Sequence, residues 1–196
     1  MDHIDEIQHE FLMASRNQDL KTVCELLEKY KTYKLINCKQ SNYFDRTALI
    51  STCESTTTKI GKTLLSHPDI QVNIADTDGN YTAFYRACRW GSRNMVDYMI
   101  EDGRVDINKT DKWGWTPLMI ACFNSHLDIV VRILLSPRTF NLHQRSTKEF
   151  MIVYTFVKGV DAIQIAKIKS PKIYEILCQY EKDPEKEKIR LKNDKG

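Results

Sequence analysis

The chain has 196 residues, of which 42% are apolar and 28% charged, and this composition argues for a globular or repeat-built protein and against wholesale disorder. Its 29 basic and 26 acidic residues are interleaved and leave a net charge of +3, too weak and too mixed to predict binding to nucleic acid or a membrane surface. No apolar run approaches the ~18 residues of a spanning helix, and the acidic, polar residues 1–8 do not predict a secretory signal.

The six cysteines stand singly, with no CxxC pair and no tight cluster of cysteine and histidine that would hold zinc. This spacing predicts reduced, mostly buried thiols, and we expect neither a metal ion nor a cofactor. We therefore expect the protein in the cytoplasm, with the nucleus as the alternative compartment.

Five successive segments each carry two short apolar stripes at helical spacing, which predicts a pair of antiparallel helices in each. The segments are 4–39, 40–75, 76–110, 111–143 and 144–182. Thr47, Thr82 and Thr116 each precede a first helix and are expected to cap it, and Pro117 fits the first helical position. Because neither helix of a pair can bury its stripe alone, we expect neighbouring pairs to stack around one apolar core.

A second marker runs in phase with the first, an apolar residue followed by asparagine at positions 36–37, 72–73, 107–108 and 140–141. The clearest copy of the whole pattern, DKWGWTPLMIACFNSHLDIVVRILLS at 111–136, closely resembles the ankyrin repeat. The resemblance covers about residues 4–180. It implies an all-α solenoid of about five ankyrin repeats, each a helix-turn-helix with a β-hairpin finger, in which partners contact the fingertips and the concave face of the first helices.

The spacing between the fourth and fifth copies is longer than the others, because Ala121 and Ala166 are 45 residues apart whereas Ala87 and Ala121 are 34 apart. We assign the insertion to 142–158 and predict one elongated finger, in which 150–157 faces 140–145 across a turn at 146–148. This finger either caps the fifth repeat or forms a second docking site. The repeat domain is predicted over 1–182, followed at 183–196 by a charged tail that is a frayed helix or disordered.

The sequence offers no catalytic constellation. The string GKT at 61–63 lacks the earlier glycine of a phosphate-binding loop and falls in a predicted second helix. Cys53, Cys88 and Cys122 recur at one repeat position, which indicates packing and not a nucleophile. The acids Asp76 and Asp78 lie in a predicted loop, where we expect them to be solvated. We therefore predict that the protein is not an enzyme.

Mapping the contact positions of the family onto this chain gives a set rich in aromatic and basic side chains, which are enriched at interface hot spots. We expect the following ten residues to contact a partner: Tyr43, Phe44, Arg46, Tyr81, Arg89, Trp90, Lys112, Trp113, Trp115 and Phe123. In the alternative, the two tryptophans beside Gly114 pack against adjacent fingers, and the rings at 90 and 123 widen the contact between repeats.

The resulting hypothesis is a non-catalytic module that binds another protein, monomeric when isolated, as a scaffold, adaptor, inhibitor or assembly chaperone. Arginines and Lys112 in the predicted surface favour an acidic partner. The alternative is a regulatory or targeting subunit of a larger enzyme complex. Binding to nucleic acid would need a basic stripe, which the charge balance does not predict.

Overall fold

The computed structural model describes residues 3–31, 33–55, 57–152 and 155–194, and its architecture is all-α with short accessory strands. The described residues form two compact units, Met1–Asp106 and Ile107–Gly196. Helices occur in pairs in each of the five predicted segments, which confirms the predicted fold class of ankyrin-type repeats. The domain boundaries drawn from the sequence stay predictions.

The first unit contains three helix pairs, in which α1, α4 and α6 are the first helices and α2, α5 and α7 the second. Their bounds, with the short helix α3 and the strand pair β1 and β2, are α1 His3–Arg16, α2 Leu20–Lys29, α3 Tyr33–Ile36, β1 Lys39–Gln40, β2 Arg46–Thr47, α4 Ala48–Thr52, α5 Lys59–Leu65, α6 Ala83–Trp90 and α7 Arg93–Glu101. β1 and β2 are antiparallel, with Lys39 opposite Thr47 and Gln40 opposite Arg46. The segment before each first helix is called a finger below.

The second unit contains two helix pairs, α8 with α9 and α10 with α11, followed by one further helix. The bounds are α8 Pro117–Phe123, α9 Leu127–Leu134, β3 Phe150–Ile152, β4 Thr155–Val157, α10 Ala162–Lys169, α11 Pro171–Lys182 and α12 Pro184–Asn193. The first helices α8 and α10 pack side by side. Their small residues Ala121 and Ala166 are fully buried, which allows this approach.

The predicted threonine caps are confirmed. The hydroxyl oxygens of Thr47, Thr82 and Thr116 accept the backbone N–H of the residue three positions later, at 3.3, 3.1 and 3.2 Å. In the fifth repeat Asp161 takes this role, and its carboxylate accepts the N–H of Gln164 at 2.9 Å while the Gln164 side chain accepts the N–H of Asp161 at 3.1 Å. Each first helix after α1 therefore starts at a residue that its own sequence specifies.

The asparagines of the second marker connect successive repeats. Asn73 donates its side-chain N–H to the Arg104 carbonyl at 2.8 Å and accepts the Asp106 N–H at 2.8 Å. Asn108 bonds the Thr139 carbonyl at 2.9 Å and the Asn141 N–H at 2.9 Å in the same way. Asn37 repeats the pattern. An amide offers a donor and an acceptor on one short side chain, which explains the recurrence of asparagine here.

The glycine of the GKT string serves helix packing. Gly61 lies in α5, and a Cβ atom there would come within 2.5 Å of the Met95 sulfur in α7. Met95 is fully buried. The absence of a side chain at this position therefore permits the close approach of the two second helices.

The predicted elongated finger is a hairpin, but its pairing differs from the prediction. β3 pairs with β4, with Phe150 opposite Val157 and Ile152 opposite Thr155, so the partner of 150–152 is 155–157 and not the predicted 140–145. The prediction placed the turn at the polar residues 146–148. Residues 146–147 instead bond other segments of the second unit: Ser146 N–H donates to the Val160 carbonyl at 3.0 Å, and Thr147 N–H donates to the Trp113 carbonyl at 2.8 Å.

The segment predicted as a charged tail contains the helix α12. Asp183 accepts the Lys186 N–H at 3.1 Å and Pro184 occupies the first helical turn, which together define the helix start. Leu191 is only 4% exposed, and Arg190 pairs with Glu187 at 2.6 Å. Most of this segment therefore packs as a helix against α11, and the expectation of a frayed or disordered tail is wrong for 184–193.

Candidate functional site

The ten residues predicted to contact a partner differ widely in exposure. Exposed positions are Phe44 at 49%, Trp90 at 55% and Lys112. Half-buried positions are Tyr43, Arg89, Trp113 and Phe123. The expectation of a solvent-facing side chain is wrong for three residues, Arg46, Tyr81 and Trp115, which are only 5%, 6% and 6% exposed.

Arg46 is buried because it belongs to a charge cluster in the first unit, formed with Arg86, Glu54, Asp76 and Asp78. The Arg86 guanidinium lies 2.6 Å from Asp76 and 3.2 Å from both Glu54 and Asp78. Arg46 pairs with Glu54 at 3.0 Å and lies 3.9 Å from Asp76 and from Asp78. The cluster therefore joins the finger and the loop after the first helix of the second repeat to the finger and first helix of the third.

Asp76 is the centre of this cluster. One carboxylate oxygen accepts the backbone N–H groups of Gly79 and Tyr81 at 3.2 and 3.1 Å, and the other accepts two N–H groups of Arg86. Its side chain has 0% exposed surface, so the expectation that Asp76 is solvated is wrong. The carboxylate organises the finger turn and also neutralises a buried cation.

The cluster has two arginines and three carboxylates, and Arg86 stays charged within it. Burial by itself lowers the pKa of Arg86, but the hydrogen bond and charge of Asp76, with Glu54 and Asp78, more than offset this and raise the pKa. The Tyr81 ring lies 4.5 Å from the Arg86 guanidinium and stacks on Tyr85 at 4.8 Å. Tyr81 is therefore buried as a cover over the cluster.

A groove of about 500 Å³ lies beside this cluster, at the loops that join the first and second helices of the second and third repeats. Glu54 and the exposed ring of Trp90 line it, together with residues 91–94 at the start of α7. The groove thus brings a carboxylate and a large uncovered aromatic side chain to one surface of the first unit.

The finger of the fourth repeat is organised by Asp111, at the position that Asp76 holds in the third. Its carboxylate accepts the N–H groups of Trp113 and Trp115 at 2.8 and 2.9 Å. Gly114 between them has φ +80°, and a Cβ atom there would come within 3.0 Å of the Thr147 backbone nitrogen. The fingers of the fourth and fifth repeats therefore lie in direct contact at Gly114 and Thr147.

Trp115 is buried beneath a second aromatic ring. Its ring meets that of Phe123 edge to face at 5.4 Å, and the Lys169 ammonium lies 4.8 Å from the Phe123 ring centre. Ile168, which is 47% exposed in α10, occupies the repeat position of Phe123 in α8. Ile168 is not among the ten predicted contact residues, although aligning the Asp161 cap with Thr116 places it at the same repeat position as Phe123.

Two features of the described residues bear on catalysis. Those residues contain no cluster of three or more metal-ligating side chains. Cys53 and Cys122 are fully buried, and burial raises the pKa of both thiols, which is the opposite of what a nucleophile needs. Within the same residues, no helix combines the length and apolarity needed to cross a bilayer.

Comparison with known proteins agrees with this architecture. A family model described as ankyrin repeats (3 copies) matches residues 11–111, and a second, ankyrin repeats (many copies), matches 94–134. The chain is also similar to ankyrin repeat domain-containing protein 29 of Danio rerio, 29% identical over 62 residues, and of Homo sapiens, 33% identical over 62 residues. In both cases the matched stretch is 32% of this chain and 21% of the relative.

Proposed function

Because this chain belongs to the ankyrin repeat family, we propose that it is a non-catalytic module that binds a partner protein through the exposed residues of its fingers and first helices. Ankyrin repeats generally serve as protein-interaction modules. Paired helices hold a row of finger and first-helix side chains in fixed positions, so little conformational entropy is lost when a partner binds.

The observation that carries this proposal is the exposure of large aromatic side chains at repeat positions that do not serve packing. Trp90 is 55% exposed at the end of α6, and Phe44 is 49% exposed at a fingertip. Phe44 also has φ +57°, a conformation that costs a non-glycine residue about 1 kcal/mol. An uncovered tryptophan and a strained, uncovered phenylalanine are typical of a binding surface.

The revised contact set consists of the predicted residues that remain accessible: Tyr43, Phe44, Arg89, Trp90, Lys112, Trp113 and Phe123. Scaffold, adaptor, inhibitor and assembly chaperone are all roles that such a surface could serve. A regulatory or targeting subunit would use the same surface, and the identity of the bound partner distinguishes these roles.

The experiment compares three purified forms of the chain as baits: wild type, Phe44→Ser with Trp90→Ser, and Ile189→Ser. Ile189 is 61% exposed on α12 and serves as a matched loss of exposed apolar surface. Quantitative mass spectrometry should show partners retained by wild type and Ile189→Ser and depleted at least tenfold on the double variant, with equal melting curves. Equal retention by all three would refute the assignment to the finger and first-helix surface.

A further inference from the structure

The second unit carries a partly exposed apolar strip across its two first helices. Phe123 in α8 is half-buried, and Ile168 at the same repeat position in α10 is 47% exposed. Because α8 and α10 pack side by side, these two residues lie in one column. The buried Trp115 ring packs against the Phe123 ring, with 5.4 Å between the ring centres, and so supports Phe123 near the surface.

Basic side chains occur next to this strip and on the fingers of the same unit. The Lys169 ammonium lies 4.8 Å from the Phe123 ring centre, and Lys167 precedes Ile168 on the exposed face of α10. At the fingertip the Lys112 ammonium lies 4.4 Å from the Trp113 ring. Lys148 is exposed and follows Thr147, whose N–H bonds the Trp113 carbonyl at 2.8 Å.

The charge balance of this face differs from that of the first unit. The fingers and first helices of the second unit, 108–125 and 141–170, contain seven lysines and arginines and three carboxylates. Two of those carboxylates, Asp111 and Asp161, are buried in the finger turn and in the cap of α10. The equivalent segments of the first unit, 37–55 and 73–91, contain four basic and four acidic residues.

We infer that the face formed by Lys112, Trp113, Phe123, Lys167, Ile168 and Lys169 binds an acidic protein segment that carries an apolar side chain. The inference rests on the proposed function and specifies the partner chemistry for this part of the surface. Carboxylates of the segment would pair with the lysines, which speeds encounter and selects against basic segments. Its apolar side chain would pack on Phe123 and Ile168, which gives the contact its desolvated centre.

A nucleic acid is also a polyanion, but the apolar strip does not suit it. Bases bind single-strand sites by stacking on the faces of aromatic rings. Lys169 lies over the Phe123 ring, and Ile168 has no aromatic face. An acidic peptide uses both the lysines and the aliphatic surface.

The test uses two display libraries of 12-residue peptides with randomised apolar residues, one with Asp and Glu at half of the positions and one with Lys and Arg there. We expect enrichment from the acidic library, and the affinity of a selected peptide should weaken as salt rises. Reversing two charges, in Lys112→Glu with Lys169→Glu, should weaken it by about tenfold or more, because two attractions become repulsions. Lys186→Glu with Lys192→Glu, which reverses two exposed charges on α12, is the matched control and should leave it unchanged.

Several results would overturn the inference. If the basic library is enriched and its selected peptide no longer binds Trp90→Ser, the proposed function is supported and the acidic assignment is wrong. Displacement of the acidic peptide by an equimolar single-stranded oligonucleotide would show that the lysines recognise any polyanion. No enrichment from either library would count against the acidic assignment and against the proposed function together.

Discussion

Replacing Asp76 by asparagine keeps the size of a fully buried side chain but removes its charge. The asparagine oxygen can still accept the Gly79 and Tyr81 N–H groups, which Asp76 bonds at 3.2 and 3.1 Å. The Arg86 guanidinium, whose side chain is 4% exposed, would lose its 2.6 Å partner and face an N–H donor instead. The substitution therefore isolates the electrostatic part of the cluster.

Removing one partner of a buried ion pair costs about 3–5 kcal/mol. Glu54 and Asp78 remain 3.2 Å from Arg86, so we expect the lower end, about 3 kcal/mol, for the stability of the first unit. Asp111→Asn is the matched control, because Asp111 bonds its own finger turn similarly while Ile120 stands at the repeat position of Arg86. Its expected cost is about 1 kcal/mol, since asparagine keeps an acceptor for the N–H groups of Trp113 and Trp115 but holds them less strongly than a carboxylate does.

Hydrogen exchange followed by mass spectrometry measures these losses locally, because peptides from 40–106 and from 111–142 report the opening free energy of each unit separately. Asp76→Asn should speed exchange in the peptides from 40–106. The double variant Asp76→Asn with Arg86→Met should recover part of the lost stability, because it removes the unpaired charge. If Asp76→Asn and Asp111→Asn lower the opening free energy by the same amount, the reasoning is refuted. It is also refuted if the double variant is less stable than Asp76→Asn, because the buried ion pair then does not stabilise the first unit.

Three further predictions concern local elements. With iodoacetamide at pH 8, the half-buried Cys24 and Cys178 should react in the native protein. Cys38 should react only in urea, because burial raises its pKa to about 12. Peptide mapping would contradict this prediction if Cys38 reacted as fast as Cys24. Thr116→Ala should lower the free energy of unfolding in urea by about 1 kcal/mol, and Thr116→Ser should lower it much less, because only serine keeps the cap. Equal decreases for the two variants would exclude the cap as the cause. Asn73→Ala should cost about 2 kcal/mol by removing two hydrogen bonds, and unchanged exchange at Asp106 would argue against it.

The candidate surface was only partly predictable, and the errors have one cause. The predicted contact set rests on repeat position, which treats equivalent positions as having equivalent surroundings. At Arg46 and Tyr81 that assumption failed, because Arg86 in α6 bonds Glu54, 32 residues earlier in the chain. Arg46 pairs with the same carboxylate and the Tyr81 ring packs on Arg86, so both are buried. At Trp115, which is only 6% exposed, it failed because the Phe123 ring packs against the indole at 5.4 Å.

The elements that the sequence determined by itself are those whose chemistry is local. Thr47, Thr82 and Thr116 bond an N–H only three residues away, and each apolar stripe lies on one helix, so the five helix pairs could be read from spacing. The burial of Asp76 and the exposure of Ile168 depend on side chains from other repeats. Only the tertiary structure decided them, since a position is buried or exposed according to what packs over it and not according to its own residue type.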